Sequence, residues 1–147
     1  MKRNTLLLTT ALLLSATATA TATAQDAETL FNNKCAACHA KTRPSDMSSL
    51  VAPPVMGVMR HVKMKYPTKD AAVAFMVDYV LEPSEAKAVC MPQKIQRFGL
   101  MPSQKGNVTK EELQAITSWM YDNFPPANFK GGMGYGKGHS MGMKGKI

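Results

Sequence analysis

Five consecutive residues, Cys35-Ala36-Ala37-Cys38-His39, constrain this chain more than any other feature. The C-x-x-C-H spacing is that of a c-type haem attachment site. Two thiols one helical turn apart can each add to a vinyl group of the same porphyrin. The adjacent imidazole is then held under the iron as an axial ligand. Two other readings of the motif are a redox dithiol and half of a zinc site. A thioredoxin-like dithiol sits near a βαβ pattern, and none is visible. A structural zinc site wants four ligands, often as two spaced pairs, and the one remaining cysteine, Cys90, stands alone.

The N-terminus supplies a context for covalent cofactor attachment. Lys2 and Arg3 form a basic start, Leu6 to Leu14 an apolar stretch, and Ala22-Thr23-Ala24 a small-residue cleavage pattern. Residues 1–24 therefore read as a secretory signal peptide, with the mature chain starting at Gln25. The apolar stretch falls short of the roughly 20 residues that span a bilayer. Nothing later resembles a span, so no stable membrane insertion of the mature chain is expected. With C-x-x-C-H, the compartment implied is the periplasm.

Charge narrows the partners. The mature chain carries 16 basic and 10 acidic residues, a net charge of +6. Four of those bases, Lys130, Lys137, Lys144 and Lys146, lie in an acid-free C-terminal tail, which leaves residues 25–129 at +2. Export removes nucleic acid as the usual target of a basic chain. An acidic redox partner is one that the tail lysines would attract.

Helical signals are strong in three places. From Asp26 to His39 a helix carries the haem motif, with Asp26 as cap, Glu28 in the first turn and Phe31 on the face of Cys35. Thr68 caps a second helix through Glu82, halted by Pro83, with Ala72, Phe75, Met76 and Tyr79 at helical spacing. Thr109-Lys110-Glu111-Glu112 is a capping box that opens a last helix to about Phe124, with Leu113, Ile116, Trp119 and Met120 on its apolar face. Between these, Pro44, Pro53, Pro54 and Pro67 argue for loop over residues 40–67, and Ser84 is expected to cap a short helix through Cys90, ended by Pro92. Residues 129–147 hold seven of the ten glycines and no acid. This composition predicts a flexible tail.

Methionine donation to a haem iron gives a stable six-coordinate centre of raised potential. Met-Pro occurs twice, at Met91-Pro92 and Met101-Pro102. The order of motifs over roughly Asp26 to Phe124 resembles the class I cytochrome c family. Ala52-Pro53-Pro54-Val55-Met56-Gly57 stands where the family has a G-P-x-L-x-G-like loop, with the first Gly and the Leu replaced. Phe98-Gly99-Leu100-Met101-Pro102 stands just before the capped helix, where the family places its axial Met. The resemblance implies an all-α class I-like domain over 25–128 around one covalent haem c. It also implies thioethers at Cys35 and Cys38, His39 and Met101 as axial ligands, and the Pro53 carbonyl accepting the second ring proton of His39. Phe31 is then expected where the first helix crosses the last, near Ile116, Trp119 or Met120.

These features point to a periplasmic carrier of single electrons between redox partner proteins. No acid–base pair or substrate-pocket motif is visible, and two filled axial positions leave the iron no open site, so the chain reads as no enzyme. Three competitors remain. One is a haem subunit of a periplasmic dehydrogenase complex, such as one oxidising sulfur compounds. Another is a haem sensor or peroxidase-like protein. The third is copper binding by the soft donors Met133, His139, Met141 and Met143 of the tail. Arg60 is a candidate for a haem propionate, Lys63, Lys65 and Lys69 for a docking ring, and Cys90 for either a buried or a reactive thiol.

Overall fold

A computed structural model describes residues 24–129. The signal-peptide reading, over residues 1–23 of its 24, and the flexible-tail and copper readings beyond Phe129 lie outside the described residues. Among the described residues the regular structure is helical throughout. It comprises α1 (Ala24–Lys34), a single 3-10 turn (Met47–Ser49), α2 (Val55–Lys65), α3 (Lys69–Leu81), α4 (Pro92–Phe98) and α5 (Lys110–Asn123). The fold is thus all-α, as the sequence predicts.

The last helix organises the others. α5 packs against α1, α2 and α3. Thr109 Oγ1 accepts from the Glu112 amide at 3.1 Å while the Glu112 carboxylate accepts from the Thr109 amide at 2.8 Å, closing the capping box. Leu113, Ile116, Thr117 and Trp119 are buried. The Thr117 hydroxyl donates to the Leu113 carbonyl at 2.7 Å, so its burial leaves no donor unmet. α1 buries Ala27 and Phe31, four residues apart, and Phe31 reaches Trp119 with ring centroids 5.3 Å apart. Thr68 and Glu82 bound α3 where the sequence puts them, but the Thr68 side chain makes no capping bond.

Five local expectations are corrected. Asp26 lies inside the first turn of α1 and does not cap it. The helix stops at Lys34, and the haem motif continues it as tight turns in which the His39 amide donates to the Cys35 carbonyl at 2.9 Å. Residues 40–67 are not all loop. The prolines frame a helix, Pro54 as N-cap of α2 and Pro67 just past its C-cap Tyr66, and its buried residues Val55, Met59 and Val62 recur at i, i+4 and i+7. Ser84 opens only a turn, its hydroxyl accepting from the Lys87 amide at 3.3 Å. Pro92, expected to end a helix, begins α4, because the first helical position needs no N–H donor.

Candidate functional site

One apolar cavity of about 290 Å³ is walled by parts of every helix. Cys35, Cys38, His39, Pro53 and Met101 all line it. A larger open groove of about 770 Å³ between α3 and α5 is edged by Asp70, Asp78, Glu82, Lys105 and Lys110, and holds none of these donors. The enclosed cavity is therefore the site, despite its smaller volume.

Each donor is placed by local structure. Cys35 follows α1 directly, its amide bonded to the Phe31 carbonyl at 2.8 Å, so the buried Phe31 anchors the motif from below. Across the loop, the Val55 amide donates to the Ala40 carbonyl at 3.0 Å, tying the start of α2 to the residue after His39. That closure brings Nδ1 of His39 to 2.9 Å from the Pro53 carbonyl oxygen. A carbonyl only accepts, so Nδ1 carries the proton, and the lone pair of a neutral ring is left on Nε2. Burial lowers the His39 pKa and the bond to Pro53 opposes it. The net effect keeps the imidazole neutral, the form that ligates a metal.

Met101 reaches the cavity from a separate segment. Gly99 caps α4 with φ of +76°, a conformation that side-chain-bearing residues rarely adopt. It turns the chain away from the helix and into Leu100-Met101-Pro102. The segment is then pinned to the end of α3: the Ser103 hydroxyl donates to the Leu81 carbonyl at 2.6 Å and the Gln104 amide to the Val80 carbonyl at 3.1 Å. Met91, the other Met-Pro methionine, is 45 % exposed at the N-cap of α4 and does not line the cavity.

Cys35 is held as a thiol rather than as the thiolate that ligates a metal. Burial, reinforced by the neighbouring Cys38, pushes the Cys35 thiol up to about 11. Among the described residues no group of three or more His, Cys, Asp or Glu is placed to hold a metal ion, which leaves the zinc reading without ligands. A donor set of two thiols, one imidazole with a free Nε2 and one thioether, on apolar walls that include Val58, Val62 and Ile116, matches what haem c requires.

Sequence reasoning missed other parts of this wall. Met76 on α3 and Met120 on α5 line the cavity, as does Lys94 on α4. The i+4 recurrence of Ala72 and Met76 was the available signal for the first. Cys90 also lines the cavity, half-buried, its thiol pKa raised by burial and opposed by Lys94. The expected docking ring of Lys63, Lys65 and Lys69 does not form at the cavity. Lys63 lies over the Tyr121 ring at 4.5 Å and Lys69 pairs with Asp122 at 2.6 Å, both engaged with α5. Arg60 is exposed on α2 and is not part of the cavity wall.

No helix among the described residues is long and apolar enough to cross a membrane. Comparison with solved structures yields no match. An uncharacterized protein of Aquifex aeolicus (strain VF5) is 31 % identical over 108 residues, 65 % of this chain and 71 % of that protein. A family model, described as cytochrome C oxidase, cbb3-type, subunit III, matches residues 22–120, which include the C-x-x-C-H motif and most of α5. With that motif on an all-helical fold, the chain belongs to this family of class I-like c-type cytochrome domains, which carry covalent haem c and transfer electrons through it.

Proposed function

We propose that this protein is an exported, periplasmic shuttle that passes single electrons between redox proteins, and is not itself an enzyme. In this reading residues 1–24 are removed, 25–128 form the haem domain and 129–147 extend from it. Cys35 and Cys38 hold haem c through thioethers, and His39 and Met101 are its axial ligands. Haem c supplies a one-electron couple when bound. The observation that carries the assignment is the convergence of Cys35, Cys38, His39 and Met101 on a single apolar cavity from separate segments.

The protein's contribution is placement and exclusion. His39 is held in one tautomer by the Pro53 carbonyl, which also makes it a stronger donor. Met101 would supply the second iron ligand, so that oxygen or peroxide would find no vacant site. Buried Phe31, Val62 and Ile116 keep water from the interior face and raise the cost of added positive charge on the oxidised state. A redox titration followed optically tests the reading. Reversible one-electron behaviour without carbon monoxide binding by the reduced protein supports it. Carbon monoxide binding to the untreated ferrous protein would favour a sensor or peroxidase.

The family match favours one second reading, a haem subunit of a larger complex. The family is named for a subunit of a cbb3-type oxidase, and a periplasmic dehydrogenase would use such a subunit in the same way. Stable co-purification with a larger catalytic chain distinguishes this from a free carrier.

A further inference from the structure

Haem c brings two propionate carboxylates, and the site as described assigns no residue to them. The inference that follows rests on the haem reading of the cavity. Carboxylates at the border of an apolar cavity are stabilised by cations and hydrogen-bond donors. On the macrocycle, the two vinyl-derived thioether carbons stand on adjacent pyrroles and the propionates on the other two. The carboxylates therefore leave from the edge opposite the one bonded to Cys35 and Cys38.

Two lysines line the cavity, Lys34 and Lys94. Lys34 directly precedes Cys35, and its ammonium donates to the Asn107 carbonyl at 2.9 Å. It belongs to the thioether edge and its head is already bonded. Lys94 belongs to α4, remote in sequence from the cysteines. Its ammonium lies 5.9 Å from the Phe98 ring centroid, and none of the four ion pairs among the described residues involves it.

The surroundings of Lys94 are short of negative charge. Neither α2 nor α4 contains an Asp or Glu. His61 on α2 is close enough to Lys94, and to its neighbour Arg60, for both to help lower its pKa after burial. Elsewhere Lys41, Lys69, Lys87 and Lys105 each meet a carboxylate within 4 Å or less. Lys94 is thus a cation on the cavity wall with no ion pair to a carboxylate among the described residues.

We propose that Lys94 is the residue that binds a haem propionate, with Arg60 as an outer cation sharing that charge. In this arrangement α4 fixes both poles of the cofactor: Lys94 holds the carboxylate edge, and Gly99 at the end of the same helix directs Met101 toward the iron.

The test uses the full-length holoprotein, whose covalent haem survives the substitutions. Lys94→Gln removes a positive charge near the iron and lowers the midpoint potential, while Lys94→Arg retains it. Redox-difference infrared spectra show the propionate carboxylate bands shifted in Lys94→Gln and restored in Lys94→Arg. Lys34→Gln leaves potential and bands as in the parent. The proposal is overturned if Lys94→Gln leaves both readouts unchanged, or if Lys34→Gln produces the shifts. The near-infrared Met–iron band, measured in each variant, reports whether the axial site is intact. A parent protein without covalent haem or reversible reduction would defeat the electron-transfer reading itself, an outcome separate from either result for Lys94.

Discussion

The ring of Phe31 packs against that of Trp119 at 5.3 Å between centroids and 43° between planes, joining the helix that leads into the haem motif to the helix that closes the domain. Phe31 is fully buried, and Trp119 also meets Phe124 edge-on at 5.4 Å. The pair links residues 88 positions apart and sets the base on which Cys35 sits, one helical turn along from Phe31. Attachment chemistry and core packing are therefore coupled through one side chain.

Phe31→Ala should be costly. Truncating a fully buried Phe costs about 3–5 kcal/mol, from lost apolar burial and the cavity left behind. Denaturant unfolding of the holoprotein should show the loss as a lower midpoint, and haem attachment during expression should fall as the motif loses its anchor. A loss below about 1 kcal/mol would mean that Trp119 and Ile116 collapse into the space.

Thr109→Ala isolates the capping box. It removes the acceptor for the Glu112 amide and should cost about 1 kcal/mol. The site should be unaffected, because Thr109 is exposed and does not line the cavity. A changed haem spectrum in this variant would contradict that separation.

The axial assignment is checked by a pair of substitutions. Met101→Ala should abolish the weak near-infrared absorption of Met–iron bonding in the oxidised protein and lower the potential, since thioether donation favours the ferrous state. Met91→Ala should leave both unchanged. The reverse pattern would transfer the role to Met91.

Cys90 should behave as a half-buried, protonated thiol at neutral pH. Burial raises its pKa above the ordinary thiol value near 8.5. Alkylation by iodoacetamide should be slow at pH 7 and rise about tenfold per pH unit while the thiolate remains the minor form. The linkage sign follows: the folded chain keeps a proton that the unfolded chain loses, so stability falls as pH rises from the ordinary thiol value through the raised one. Cys90→Ser should remove that alkaline increment. Rapid alkylation at pH 7 would show an exposed, activated thiol instead.

What could be read from the sequence alone was what depends on neighbours within a few turns. The C-x-x-C-H spacing is covalent geometry, the Thr109–Glu112 box is a reciprocal bond across three residues, and the boundaries of α3 follow from Thr68 and Pro83. α2 escaped because its prolines were read as breakers, whereas Pro54 caps it and Pro67 follows it. Its inward residues Val55, Met59 and Val62 gain their burial from α5, far along the chain. The short helix drawn over 84–90 failed for the complementary reason: a capping residue fixes one end, but without an apolar face to pack, only a turn persists.

Motif order favoured Met101, and tertiary structure supplied the reason it is the Met-Pro that lines the cavity. Met91 and Met101 look alike in sequence, yet Gly99 and the anchors at Val80 and Leu81 turn one inward while the N-cap position leaves the other at the surface. The same holds for the lysines. Sequence proximity grouped Lys63, Lys65 and Lys69 as a ring, but helix packing gave Lys63 and Lys69 to α5 and placed Lys34 and Lys94 on the cavity wall. A residue's chemistry is written locally, whereas its direction is set by elements that meet only when the chain has folded.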